Sequence, residues 1–414
     1  MKRFSGSMES YRRTLTNALL IIVATTVLAN LLSFIIIYTQ YSQNSFSRTA
    51  ILSFKQRFIM NETSCFYPHP FFGENQCLFE PSENRMSSGE PLYFSRGPFG
   101  AKDVVRVLIL GGSVAANLSK NITEEPHQDF KGIQITNTDI FANILNAKLN
   151  TDRFSVWNAA FGGSKQPQQL FKLYYLLLLG EKFDVVINLD GFNEVALSLS
   201  ENKTLALPPI YPRSFSRLVH ASGSLDISCV PEANKLAKTY SWLPAVELYH
   251  LYRTTRCYHA INRTFEDDAT SNISKLSNFT FINDERLFES VTEIWRRSSA
   301  EIELVAQARG FDYIHVVQPN QYVPNSKIFS EVERRDLVHD PLYGPPAKRF
   351  YSLLTFDAGQ QPQHYLDLRY LFETNSETLY RDYCCHFTNK GMAYIAEAIV
   401  DRNLEIFRRR LNRH

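Results

Sequence analysis

Residues Val104-Val105-Arg106-Val107-Leu108-Ile109-Leu110 form a nearly continuous apolar run that breaks into Gly111-Gly112-Ser113. A strand that is apolar on both faces belongs in a sheet covered on both sides, which sets a parallel α/β architecture as the frame. The two glycines let the backbone turn sharply and come close to a ligand. A helix beginning next would place Ser113 where N–H groups at a positive helix end can stabilise an oxyanion. Taken alone, the pattern is more often that of a plain structural turn.

Three later segments add to it. Phe154-Ser155-Val156-Trp157-Asn158-Ala159-Ala160-Phe161-Gly162-Gly163 is a second strand running into a glycine turn. Phe183 to Asp190, followed by Gly191-Phe192-Asn193-Glu194, is a third strand ending in Gly-x-Asn. Near the end of the chain, Asp382-Tyr383-Cys384-Cys385-His386-Phe387-Thr388-Asn389-Lys390-Gly391 puts an acid and a histidine just ahead of an amphipathic helix. In order and type these segments resemble the four blocks of the SGNH (GDSL-type) serine hydrolases, over about residues 103–405. The stretch from Glu194 to about Asp284 carries no such signal.

The resemblance implies a catalytic set of Ser113, His386 and Asp382. It implies an oxyanion hole built from the Ser113 N–H, the Gly163 N–H and the Asn193 side chain. A serine hydroxyl needs an adjacent base to become a nucleophile at neutral pH, and an acid to orient that base. Gly163 has a reason of its own, since a glycine N–H approaches substrate with no side chain in the way; Gly162 is the alternative turn residue. The sequence departs from the family pattern in three places. Gly112 stands where aspartate is commoner, and Glu194 stands where the third block usually has aspartate. Asp382 precedes His386 by four residues rather than three. That spacing predicts a local bulge, or a Cys384–Cys385 disulfide bending the chain, with Glu377 as the alternative third member.

Strands at 104–110, 154–159, 184–189 and 312–317 alternate with helices near 137–149, 167–180, 284–308 and 389–409. Such alternation predicts a flavodoxin-like parallel sheet with helices on both faces. Ligands on such sheets bind at the carboxyl ends of the strands, where Ser113, Gly163 and Asn193 fall. Leu170–Leu179 is apolar but short, and reads as a buried helix. His315, within strand 312–317, reads as a core residue.

Ahead of this domain, residues 18–38 carry no charge and have about the length that spans a bilayer. Lys2, Arg3, Arg12 and Arg13 precede them against Glu9 alone, which predicts a cytoplasmic N-terminus. A cleaved signal peptide is the competing reading. The expected organisation is a tail (1–15), a transmembrane signal anchor (16–40), an extracytoplasmic stalk (41–102) and the hydrolase-like domain (103–414). An insertion at about 195–283 is expected to form a cap or irregular subdomain.

Six cysteines fit an oxidising compartment, with Cys65–Cys77 and Cys229–Cys257 as pairs close in sequence. No C-x-x-C or His-x-x-His arrangement suggests zinc, and no metal or cofactor is expected. Sequons stand at Asn61, Asn117, Asn121, Asn202, Asn262, Asn272 and Asn278. A formal net charge of +2 with interspersed signs gives no footprint for nucleic acid. Arg408-Arg409-Arg410 ends the last helix, where cations suit the helix dipole.

Together these features predict a membrane-anchored esterase acting on an acylated small molecule or glycan outside the cytoplasm. The alternatives are an O-acyltransferase using the same residues and a catalytically silent, membrane-tethered scaffold or glycan-binding protein.

Overall fold

The computed structural model describes residues 24–33, 103–119, 131, 139–212, 249, 280–281 and 283–414. It also gives the backbone of the strands Cys65–His69, Gly73–Cys77, Phe94–Arg96, Gln128–Phe130 and Ile133–Ile135. By internal contacts the chain divides into two units, Phe66–Val219 with Asp268–His414 and Met1–Cys65 with His220–Asp267. The first unit holds the sheet.

Five strands of that sheet are parallel: β1 (Val105–Gly111), β2 (Phe154–Asn158), β3 (Val185–Asp190), β4 (Asp312–Val317) and β5 (His364–Asp367). Their spatial order is β2-β1-β3-β4-β5, with Phe94–Arg96 added antiparallel on the outer edge of β2. This is the flavodoxin-like order, and its switch point lies between β1 and β3. β1 and β3 pair in register from Val107 opposite Val185 to Gly111 opposite Leu189. The segments that follow these two strands, in which Ser113 and Asn193 lie, are therefore brought side by side.

Alternation along the strands decides which helices cover which face. Val105, Val107 and Ile109 point into one buried cluster with α2 (Ile140–Leu149), α7 (Asn389–Arg402) and α8 (Leu404–Leu411). Leu108 and Leu110 point the other way, into a cluster with Trp157, α3 (Gln168–Leu178) and α5 (Asp284–Arg309). Each of these fully buried aliphatic side chains contributes about 1.5–3 kcal/mol of transfer free energy.

Several expectations shift. The helix expected near 137 starts at Ile140, because the Asp139 carboxylate accepts the Ala142 N–H as an N-cap. The last helix is two, parted at Asn403, whose side-chain amide donates to the Ile399 carbonyl. α3 is only half buried: Leu170, Leu173 and Leu176 face the sheet, while Phe171, Tyr174 and Leu178 are exposed. In the expected stalk, Cys65–His69 and Gly73–Cys77 pair as a two-stranded sheet. The expected insertion opens with regular structure, α4 (Phe192–Leu197) continuing into a π-helical turn at Ser198–Asn202. Asn117 and Asn202 are both buried, and the Asn202 amide donates to the carbonyls of Pro208 and Tyr211. Neither side chain is open to a glycan in this fold.

Of the expected membrane span, residues 24–33 are described; they are helical, with Val27, Leu28, Leu31 and Leu32 exposed. Among the described residues no helix is long and apolar enough to cross a membrane, and the rest of 18–38 lies outside them. Cys65, Cys77, Cys229 and Cys257 have no described side chains, so their expected pairings also fall outside.

Candidate active site

β1 delivers Ser113 to the carboxyl edge of the sheet, where the short helix α1 (Ser113–Asn117) begins at once with Gly112 as its N-cap. Gly111 sits at φ +141°, and a Cβ there would lie 2.1 Å from the Leu189 carbonyl oxygen, so the turn admits only glycine. The Ser113 hydroxyl lies 2.7 Å from Nε2 of His386. On the other side of the ring, Nδ1 lies 2.6 Å from Oδ2 of Asp382. An ionised carboxylate can only accept, so Nδ1 carries the proton and Nε2 is left to accept the serine hydroxyl proton. Ser113, His386 and Asp382 thus form a continuous hydroxyl–imidazole–carboxylate chain.

The four-residue spacing is absorbed by the Asp382 side chain itself. Its Oδ1 accepts the backbone N–H groups of Cys384, Cys385 and His386 at 3.0, 3.1 and 3.2 Å, which curls the loop around the carboxylate and leaves Oδ2 facing the imidazole. Burial works to raise the Asp382 pKa, but the hydrogen bonds and charge of His386, with the backbone N–H donors, hold it well below the usual carboxylate range. No disulfide is required. Cys384 and Cys385 are both free thiols, with their sulfurs 2.8 Å apart, and the expectation that a bond between them bends the chain is corrected. Glu377, the alternative acid, is exposed and paired with Lys390 at 2.5 Å.

The loop is held from behind by groups with no catalytic motif of their own. Gln321 donates its amide to the Asp382 carbonyl at 3.0 Å. Glu333, in α6 (Glu331–Asp336), accepts the backbone N–H groups of Leu379 and Tyr380 through Oε1. Its Oε2 lies 3.0 Å from the ammonium of Lys327, both side chains being fully buried. That ammonium also donates to the carbonyls of Asn375 and Glu377. Cys384, Cys385 and His386 bring possible ligand atoms within 4.8 Å of one another. Both His386 nitrogens are already engaged, so this grouping belongs to the triad loop.

On the opposite side of Ser113 lie the loops after β2 and β3. Gly163 adopts φ +78°, which makes it, rather than Gly162, the turn residue. Gly162 is exposed and faces Ser113, its Cβ position lying 3.9 Å from the serine Cβ. The Asn193 amide donates to the Ser164 carbonyl at 2.8 Å, which uses one of its two N–H groups and leaves the other for a ligand. This placement also explains Gly112. A Cβ there would lie 2.2 Å from Nδ2 of Asn193. The space an aspartate side chain would enter is filled by Asn193.

Glu194 ties the two loops together. Its carboxylate accepts the Gln166 N–H at 2.9 Å through Oε1 and the Gly191 N–H at 2.8 Å through Oε2. Burial, reinforced by the neighbouring Asp190 carboxylate, pushes its pKa up to about 8. Lys165, fully buried beside it, donates its ammonium to the Pro209 carbonyl. Burial lowers its pKa to about 8 against the pull of Glu194 and Glu201. Nothing in the sequence marked these charged side chains as interior, since lysine and glutamate patterns read as surface.

The fold and the site define an α/β protein with a doubly wound parallel sheet and a serine–histidine–aspartate arrangement at its switch point. No family model matches the chain, and no curated protein matches it. Among solved structures it is similar to LAE5, an α/β hydrolase enzyme from the metagenome of Lake Arreo, Spain, at 13% identity, covering 75% of this chain and 97% of that one with a TM-score of 0.31. It is also similar to a GDSL-like lipase from Parabacteroides merdae at 9% identity, covering 73% and 95% with a TM-score of 0.29. At such scores the functional reading rests on the geometry of the site itself.

Proposed function

We propose that this chain is a serine esterase acting through an acyl-enzyme on Ser113. The single observation that carries the reading is His386, held between the Ser113 hydroxyl at 2.7 Å and the Asp382 carboxylate at 2.6 Å. His386 Nε2 takes the hydroxyl proton as Oγ attacks the ester carbonyl, and Asp382 stabilises the imidazolium that forms. The carbonyl oxygen becomes an oxyanion received by the N–H groups of Ser113 and Gly163 and the second N–H of Asn193. The imidazolium then protonates the departing alkoxide. Water, deprotonated by the same nitrogen, attacks the acyl-enzyme and restores Ser113. If a sugar hydroxyl takes the place of water, the same steps transfer the acyl group.

The proposed substrate is an O-acylated glycan of the cell envelope, reached by a domain held outside the cytoplasm on an N-terminal anchor. The uncharged run 18–38 and the four cations before it support this orientation. Ser113→Ala is expected to retain the fold and lose about a millionfold in turnover of a small aryl ester, as removal of a triad nucleophile does. Near-normal turnover in that variant would dismiss the reading. Protease added to sealed cells is expected to remove the domain and spare the tail and anchor; protection of the domain would reverse the orientation.

A further inference from the structure

Behind the proposed oxyanion hole lies a second serine–histidine–aspartate chain that substrate cannot touch. Asp190, the last residue of β3, accepts His315 Nε2 at 2.9 Å and the Trp295 indole N–H at 2.9 Å on Oδ1. His315 Nδ1 meets the Ser299 hydroxyl at 2.7 Å, and Ser299 meets the Tyr313 hydroxyl at 3.2 Å. The Asp190 and His315 side chains are 0% exposed, and Ser299 and Trp295 are also completely buried. A triad sealed in this way has no route to an ester.

A buried carboxylate–imidazole pair adds little net stability, because desolvation offsets most of the attraction, so its presence calls for another explanation. Its location gives one. Asp190 immediately precedes Gly191, and Asn193 follows two residues later. The other carboxylate oxygen, Oδ2, accepts the amides of Asn188 at 2.5 Å and, at a longer 3.5 Å, Gln166. Gln166 lies on the loop after β2 that carries Gly163, and its backbone N–H is held by Glu194. Two of the three oxyanion donors are thus hung from loops that meet at the Asp190 and Glu194 carboxylates. The titratable groups facing this centre are Glu194, Tyr313, Tyr351 and Tyr365, each interacting electrostatically with Asp190, and the Tyr365 ring also packs on His315.

We propose that the Asp190–His315–Ser299 chain is the positioning device of the oxyanion hole, fixing Asn193 and Gly163 against Ser113. It rests on the esterase reading above and goes beyond it, since these residues touch neither substrate nor the reacting atoms. Donors fixed before the reaction stabilise a developing charge without reorganising. Loosening them should therefore act on the transition state and leave ground-state binding alone.

The test uses the full chain and a small aryl ester. His315→Asn is expected to lower kcat by about ten- to a hundredfold, less than the roughly 10²–10³-fold loss on removing a donor outright, with KM little changed. Affinity for an aryl boronic acid, which presents a tetrahedral oxygen to the hole, should fall by the same factor as kcat. In an Asn193→Ala background, His315→Asn should cost clearly less than it does alone, because only Gly163 is then left to loosen and coupled sites are not additive. A purely structural role would instead multiply the two losses and would not track boronate affinity. Ser299→Ala, which removes a single hydrogen bond, carries the same test if His315→Asn fails to fold. Unchanged kcat in a folded variant, or multiplicative losses, would overturn the proposal. Labelling of the unmutated chain at Ser113 by a fluorophosphonate keeps the two ideas apart: its absence sinks the esterase reading, whatever His315 does.

Discussion

Gly112 offers the sharpest single substitution. Its φ of −87° and ψ of −158° suit any residue, so Gly112→Ala introduces no backbone strain. Restricting the unfolded chain should even favour the folded state by about 0.4–1 kcal/mol. The new Cβ, however, would stand 2.2 Å from Nδ2 of Asn193 and 3.3 Å from the Ser164 carbonyl oxygen. Ordinary contact begins at 3.4 Å, so the Asn193 amide has to retreat by about 1.2 Å. That movement breaks its 2.8 Å hydrogen bond to Ser164 and withdraws its second N–H from the proposed oxyanion hole. Loss of one such donor costs about 10²–10³-fold in kcat, or about 2.7–4 kcal/mol. Steady-state kinetics on an aryl ester should show this loss in kcat with KM nearly unchanged, while the melting temperature stays close to that of the unmutated chain. In an Asn193→Ala background the same substitution should be almost silent. Wild-type kcat in Gly112→Ala, or a full second loss in the double variant, would refute the reasoning.

The remaining predictions concern the supports of the site. Glu333→Ala leaves the Lys327 ammonium buried without its carboxylate and strips the acceptor from the Leu379 and Tyr380 N–H groups. It should cost about 3–5 kcal/mol in denaturant unfolding, and a loss under about 1 kcal/mol would count against this account. For Glu194, a folded pKa raised to about 8 means that the fold favours the protonated form. Its contribution is present below about pH 4.5 and is lost as pH rises towards 8. Glu194→Gln should flatten that decline in melting temperature, and an unaltered slope would contradict the assignment. Asp382→Asn should cut turnover by about 10⁴-fold, since the amide favours the wrong imidazole tautomer. Mild reductant should leave the unmutated chain fully active, because Asp382 reaches His386 with Cys384 and Cys385 as free thiols; loss of activity would restore a role for a disulfide.

Continuous apolar runs made β1, β3 and β4 readable, and their order with the intervening helices implied the doubly wound sheet. β5 escaped because His364–Asp367 is four residues long and mostly polar, with only Leu366 buried. Ser113 and His386 were legible as motif residues. The reach of Asp382 was not, because it depends on three backbone N–H groups converging on one carboxylate oxygen. The glycine at position 112 looked like a mild departure from a pattern. Only the structure shows that Asn193, distant in sequence, fills the space. Asp190, Glu194, Lys327 and Glu333 were invisible as interior groups, since charged residues are buried only when particular partners enclose them.

Covalent labelling tests most directly whether Ser113 is a nucleophile activated by His386. A fluorophosphonate probe should modify the unmutated chain on a single peptide containing Ser113. It should leave Ser113→Ala unmodified and label His386→Ala far more slowly. Labelling that persists in Ser113→Ala, or that fails in a folded unmutated chain, would contradict the account.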